Sequence, residues 1–270
     1  MLDVYVISLI DSPRRRAIES TLRSRGIDFH FEDAFDARGL NAFECEALSD
    51  RGRSMNRYGR ALSKEEIGCF ISHREVWKRI VARGRAAIVL EDDALLDDAF
   101  FQRIVVTRSS NLELHADLIL LGRSKLSRGD AGSAYLFEPL RRARKIDGLK
   151  IGVPFKQWTS GAVGYWISAI GACKALAYAE GPIHSLLDDW PWHRDYGELR
   201  VAELRPYVVW EGFETMPSAI EEGRAALSGR RKIIQELVLK PLRVMRAVCR
   251  WLVVLAMSAT VKRKRLFDSP

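Results

Sequence analysis

Residues 86–96 read AAIVLEDDALL, a short apolar run that breaks abruptly into three consecutive acids, Glu91, Asp92 and Asp93. AAIVL has the length and composition of a buried strand. Three adjacent carboxylates repel one another, so a buried strand ends on them only where something cationic offsets their charge. In an open α/β sheet, ligands bind in the crevice at the carboxyl ends of the strands. From an extended backbone, Glu91 and Asp93 point to one side and Asp92 to the other. An acid-x-acid pair in that place suits a hard divalent ion, held by one or two carboxylates, water and substrate phosphates. The alternative is a set of acids drawn to a helix N-terminus, because DDALLDDAFFQRIV begins a helical pattern at the same point.

The flanking sequence builds an α/β domain around this strand. DVYVISLI reads as a buried strand, and DSPRRRAIESTLRSRG as a helix with Ser12 as N-cap, Pro13 at the first helical position and Gly26 as its stop. IDFHFEDAF resumes strand character, which gives the strand, helix, strand order of a parallel sheet. LSKEEIGCFISHREVWKRIVARG is a helix opened by a Ser63/Glu66 capping box and closed at Gly84, with Ile67, Phe70, Ile71, Trp77, Ile80 and Val81 as its apolar stripe. DLILLG is a second short buried strand, and GAVGYWISAIGACKALAYAEGP a strand and helix that end at Gly181. LRVAELRPYVVW reads as a last strand or strand pair. Residues 36–62 are expected to be loop with at most a short helix, and 123–150 an exposed basic excursion.

The formal charge is +8, but residues 228–270 hold eleven Lys or Arg against Glu236 and Asp268, so the remainder of the chain is close to neutral. The basicity belongs to a tail, and no nucleic-acid motif accompanies it. Two parts follow: an α/β domain over 1–227 and a basic amphipathic helical tail over 228–270. Ile234, Leu237, Val238, Pro241, Met245, Val248, Cys249 and Leu252 keep helical spacing, with a kink expected at Pro241. The longest uncharged stretch, WLVVLAMSATV, has 11 residues, against about 20 needed to span a bilayer. This tail suits an anionic membrane surface, and the closing KRKR adds attraction of about 1 kcal/mol per residue there. A helix docked on the protein's own core is the alternative. Four widely spaced cysteines without a C-x-x-C pair, and an N-terminus that carries Asp3 and lacks a basic n-region, point to reduced thiols and a cytoplasmic protein peripheral to the inner face of the cell membrane.

Taken in order, LSKEEIGCFISHREVWKRIV, AAIVLEDDALL, WTSGAVGYWISAIGACKAL and LLDDW resemble the pattern of glycosyltransferase family 25, which includes galactosyltransferases of lipopolysaccharide and lipooligosaccharide biosynthesis. VYVISLIDSPRRR is similar to that family's first strand and arginine-bearing turn, with Ser8 where an Asn is usual. The resemblance spans about residues 3–195. It implies a GT-A-like, Rossmann-type fold with a mostly parallel sheet flanked by helices. It also implies a UDP-sugar donor, typically UDP-galactose, a saccharide or glycolipid acceptor, and Mn²⁺ or Mg²⁺ held against the diphosphate.

On that resemblance Asp93 and then Glu91 are the metal ligands, and Asp92 meets sugar or ribose hydroxyls of the donor. Asp188 is the base that takes the acceptor's proton, with Asp189 its rival. Ser8 and one of Arg14, Arg15 and Arg16, with Arg14 the candidate, face the donor. His73, matched to a Ser-His pair with Ser72, either faces the donor or is a hydrogen-bonded core histidine. His193 either completes the metal site or packs among Trp190, Pro191 and Trp192. A binder that kept the fold without the reaction, and a metal-dependent phosphohydrolase, are the rival functions.

Overall fold

The computed structural model describes residues 2–155, 160–212 and 241–258. In chain order its elements are β1 (Asp3–Ser8), α1 (Arg15–Ser24), β2 (His30–Asp33), α2 (Ala42–Leu48), α3 (Arg51–Tyr58), α4 (Lys64–Arg83), β3 (Ala87–Glu91), β4 (Ala94–Leu96), a π-helical turn (Phe100–Ile104), α5 (Ser109–Glu113), β5 (Leu118–Leu120), β6 (Gly122–Arg123), α6 (Arg128–Phe137), β7 (Leu140–Ile146), β8 (Leu149–Pro154), β9 (Gly164–Ile167), α7 (Ala169–Tyr178), α8 (Trp190–Gly197), β10 (Val201–Arg205) and β11 (Val209–Glu211). A tail helix occupies residues 241–258.

Among the described residues the strands form a large sheet, ordered β2-β1-β3-β9-β5-β10-β8-β7, and a small one, ordered β4-β11-β6. β1 pairs in parallel with β2 and β3, and β5 with β10, while β9 and β8 run against their neighbours. The result is the mostly parallel α/β sheet that the sequence indicates. Alternation sends Val4, Val6, Ile88 and Leu90 to one face, where Ile18 and Leu22 of α1 and Phe100 and Ile104 of the π-helical turn cover them. Tyr5, Ile7, Ala87 and Val89 face the other way, against Ile67, Phe70, Trp77 and Ile80 of α4 and Ala172 and Ala175 of α7. With helices on both sides β3 has no solvent face, which is why it reads as an unbroken apolar run. α4 starts at the Ser63/Glu66 capping box and stops at Gly84, whose φ is 64°.

Several expectations change. Residues 36–62 hold two helices, α2 and α3, with Asn41 and Asp50 as their N-caps. Their periodicity is faint because α2 buries no residue and α3 only Ser54. The excursion at 123–150 contains α6 and the β7–β8 hairpin, which extends the main sheet; β7 is its edge strand, and four of its basic residues made it read as loop. After Asp93 the chain forms β4 rather than a helix, so the acids occupy a strand-to-strand turn. α1 begins at Arg15, and Ser12 accepts from the Arg14 N–H at 3.3 Å in the preceding turn. LRVAELRPYVVW becomes β10 and β11, which lie in different sheets.

The tail helix rests on α6. Arg250 pairs with Glu138 at 2.5 Å, and the Trp251 indole donates to the Leu136 carbonyl at 2.8 Å. Leu242, Met245, Val248, Leu252 and Leu255 lie on its outer side, each more than half exposed. Among the described residues no helix is long and apolar enough to cross a membrane. The tail segments 228–240 and 259–270, with any kink entering Pro241, lie outside the described residues.

The small sheet depends on close approach: a Cβ on Gly122 would run into the Val209 carbonyl oxygen of β11. Gly122→Ala is therefore expected to cost about 1–3 kcal/mol of stability, read by chemical denaturation. An unchanged midpoint would show that β6 and β11 do not pack this tightly.

Candidate active site

Register assembles the site. β1 and β3 are parallel with Ile7 opposite Glu91, so Ser8 lies beside the acids, and its hydroxyl donates to Asp92 Oδ2 at 2.8 Å. The Arg14 guanidinium, from the turn after β1, reaches Asp93 Oδ2 at 3.4 Å and Asp92 Oδ1 at 3.8 Å. Arg15 instead pairs with Asp33, and Arg16 is exposed. Of the three arginines, Arg14 is the one at the acids.

β11 runs antiparallel to β4 with Glu211 opposite Ala94, and the Gly212 N–H donates to the Asp93 carbonyl at 2.9 Å. This brings in a carboxylate not anticipated from the sequence, Glu211, which accepts from the Lys125 N–H at 2.7 Å. A signal was present: VVWEG ends an apolar strand on an acid just as AIVLED does.

Burial, then the charges of Glu211 and Asp92, push Glu91 up to about 8 against the pull of Arg14. Burial, then Glu91 and Glu211, does the same to Asp93, also to about 8. Asp188, in the loop before α8, is raised to about 8 by burial and then by the charge of Glu91. Asp93 Oδ1 is buried without a hydrogen-bond partner. Hard oxygen donors with one guanidinium among them and an orphaned carboxylate oxygen fit a divalent cation.

His73 sits beneath this cluster. The Trp77 indole N–H donates to the Tyr165 hydroxyl at 2.9 Å, and the same hydroxyl lies 2.9 Å from His73 Nδ1. An indole nitrogen only donates and a phenol has one proton. The Tyr165 oxygen therefore accepts from Trp77, and His73 Nε2 lies 3.5 Å from Glu91 Oε1 with no hydrogen bond to it. Burial holds His73 down to about 3, so the ring is neutral. Cys69 joins it: ligand atoms of Cys69, His73 and Glu91 lie within 4.8 Å of one another, and burial raises the thiol well above its usual range.

Two other candidates stand apart. Asp189 is fully buried and occupied, accepting from Arg57 Nε at 2.9 Å, Arg57 Nη2 at 3.0 Å and the Tyr58 hydroxyl at 2.6 Å. It ties α3 to the start of α8, while its neighbour Asp188 feels the charge of Glu91. His193 lies in a cage of Phe70, Trp77, Tyr178 and Trp190, with Nε2 3.0 Å from the Leu187 carbonyl. Burial lowers it to about 3, and aromatic rings rather than carboxylates surround it. Trp190 is wholly buried and donates to the Ser160 carbonyl, whereas Trp192 is partly exposed.

The sequence profile described as "Glycosyltransferase family 25 (LPS biosynthesis protein)" matches residues 1–189. The chain is 33% identical over 232 residues to procollagen galactosyltransferase 1 of Danio rerio, covering 77% of this chain and 36% of that protein. It is 33% identical over 192 residues to the inactive glycosyltransferase 25 family member 3 of Mus musculus, covering 68% and 30%. With procollagen galactosyltransferase 1-B of Xenopus laevis it shares 33% over 182 residues, covering 64% and 28%. The chain thus spans about a third of the length of these relatives.

Glu91, Asp93 and Asp188 hold protons up to about pH 8 when folded, whereas free carboxylates lose them near 4. The folded state binds more protons across that window, so metal-free stability should fall as pH rises from about 5 to about 8.5. Because a cation binds the deprotonated carboxylates, Mn²⁺ should raise the melting temperature most at the alkaline end. Asp93→Asn should flatten both trends in scanning calorimetry with EDTA or Mn²⁺. A metal-free protein that gains stability with pH over this window would contradict the charge arrangement.

Proposed function

We propose that this chain, which belongs to glycosyltransferase family 25, is an inverting hexosyltransferase that moves a sugar from a UDP-sugar to a hydroxyl of a lipid-linked saccharide. The observation that carries the reading is the convergence of Glu91, Asp93 and Glu211 on one crevice with Arg14 as the guanidinium in contact. Galactose as the transferred sugar is supported by the relatives named galactosyltransferases, and a lipid-linked acceptor by the family's description.

Glu91 and Asp93, with Glu211 beside them, would hold Mn²⁺ or Mg²⁺. A divalent ion there supplies positive charge that stabilises the negative charge gathering on the departing diphosphate. Arg14 adds a cation toward the same phosphates, and Ser8 orients Asp92 toward donor hydroxyls. Asp188 accepts the proton of the acceptor hydroxyl as its oxygen bonds to the anomeric carbon and the bond to the diphosphate oxygen breaks. Burial suits Asp188 to this task, because a base of raised proton affinity is effective near neutral pH. His73 lies beneath the site as a neutral ring beside Glu91.

The tail helix supports a place at the membrane. Its outward apolar stripe and its arginines suit the inner face of an anionic bilayer, where a lipid-linked acceptor resides. A second reading, a nucleotide-sugar binder without turnover, is supported by the name "inactive" borne by some relatives.

UDP release across a panel of UDP-sugars separates the two readings. One donor is expected to give Mn²⁺-dependent release that Asp93→Ala abolishes. Asp188→Asn should lower turnover by roughly 10²–10⁴ while calorimetry still detects nucleotide. Asp189→Asn should act on stability instead, with a loss of about 3–5 kcal/mol for breaking a buried ion pair. Nucleotide binding without turnover on any donor or acceptor would favour the binder. Vesicle sedimentation unchanged by removal of residues 228–270 would end the membrane role of the tail.

A further inference from the structure

A slot of about 540 Å³ separates the tail helix from the β7–β8 hairpin. Leu136, Leu140, Ala143, Pro206, Trp251 and Val254 form its walls, and Arg144, Lys145 and Lys150 stand along it. Lys145 and Lys150 are direct cross-strand partners, and like charges directly opposite one another are unfavourable. Among the described residues no carboxylate forms an ion pair with Lys145 or Lys150.

Edge strands carry Lys and Arg to prevent pairing with other sheets, which accounts for cations on β7. It does not account for Lys150, because β8 is paired on both sides, with β7 and β10. Nor does it account for an apolar slot behind the cations. A cationic mouth over an apolar trough matches an amphiphile with an anionic head. The exposed stripe from Leu242 to Leu255 lies on the same tail helix that forms one wall, so slot and stripe belong to one surface.

We propose that this slot binds a phospholipid of an anionic bilayer, with its phosphate between Lys145 and Lys150, which share one face of the hairpin, and an acyl chain between the hairpin and Trp251. The inference rests on the membrane-surface reading of the tail and gives it a specific contact. It also sets an orientation. Lys150 pairs across from Arg205, at the carboxyl end of β10, which runs with β5, so the hairpin turn lies at the strand ends that carry Glu91. A lipid held there brings the catalytic crevice toward the bilayer.

The test uses the full chain and vesicles of phosphatidylcholine, alone or mixed with phosphatidylglycerol. Lys145→Gln/Lys150→Gln should bind the mixed vesicles about 30-fold more weakly, from roughly 1 kcal/mol per basic residue near an anionic surface. Ala143→Phe fills the slot without altering charge and should weaken binding roughly tenfold, equivalent to excluding about two methylene groups. It should also abolish the quenching of Trp251 by phospholipid brominated on its acyl chains, read as the difference between Trp251 and Trp251→Phe proteins. UDP release in solution, measured in parallel, should be unchanged in both slot variants, showing that they fold. Affinity and quenching unaffected by Ala143→Phe would overturn the proposal. So would displacement of the protein from vesicles by inorganic phosphate, which would mark a site for free anions. Binding that is lost on removal of 228–270 yet indifferent to both slot variants would leave the tail as the membrane element and refute the slot.

Discussion

Three carboxylates from three parts of the chain act on Glu91 at the end of β3 or are acted on by it: Asp93 just beyond the strand, Asp188 before α8 and Glu211 at the end of β11. Burying like charges together is costly unless they are neutralised by protons or by a cation. The rest of the architecture makes that burial possible. Two helical layers take the solvent from both faces of β3 and so deliver Glu91 on a rigid strand. The small sheet holds β11 against β4, and with it Glu211 against the acids. Arg14 offsets part of the charge, at distances too long for the bidentate pairing that would satisfy a carboxylate fully. The cluster is assembled and short of positive charge, a condition that a bound cation would relieve.

The elements legible in the sequence are those whose burial pattern is local. β3 shows as an apolar run because both its faces are covered, and α4 because it bears a capping box and a glycine stop. α2, α3 and the β7–β8 hairpin were not legible for the complementary reason: they bury little, and their residues look like those of loops. Glu211 was hidden differently. Its strand is recognisable, but its place beside Asp93 depends on β11 leaving the large sheet for the small one, a long-range pairing that no local pattern encodes.

Residue type and spacing do not by themselves separate neighbouring candidates. Asp188 and Asp189 are adjacent and identical, yet one feels the charge of Glu91 while the other is consumed by Arg57 and Tyr58. The start of α8 separates them: Asp189 is its N-cap position and turns inward, leaving Asp188 in the loop before it. The histidines divide in the same way. His193 is enclosed by aromatic rings, whereas His73 has one edge on Tyr165 and the other on Glu91.

That arrangement at His73 explains why a histidine, and not an apolar residue, occupies the middle of α4 under the acids. Trp77 has no acceptor capacity, so its N–H donates to the Tyr165 hydroxyl, which His73 Nδ1 shares at 2.9 Å. The consequence is a ring held in place and uncharged, with Nε2 3.5 Å from Glu91. A cationic donor in this position would neutralise Glu91 and compete with any bound cation for it. A neutral ring leaves the charge of Glu91 uncompensated from this side.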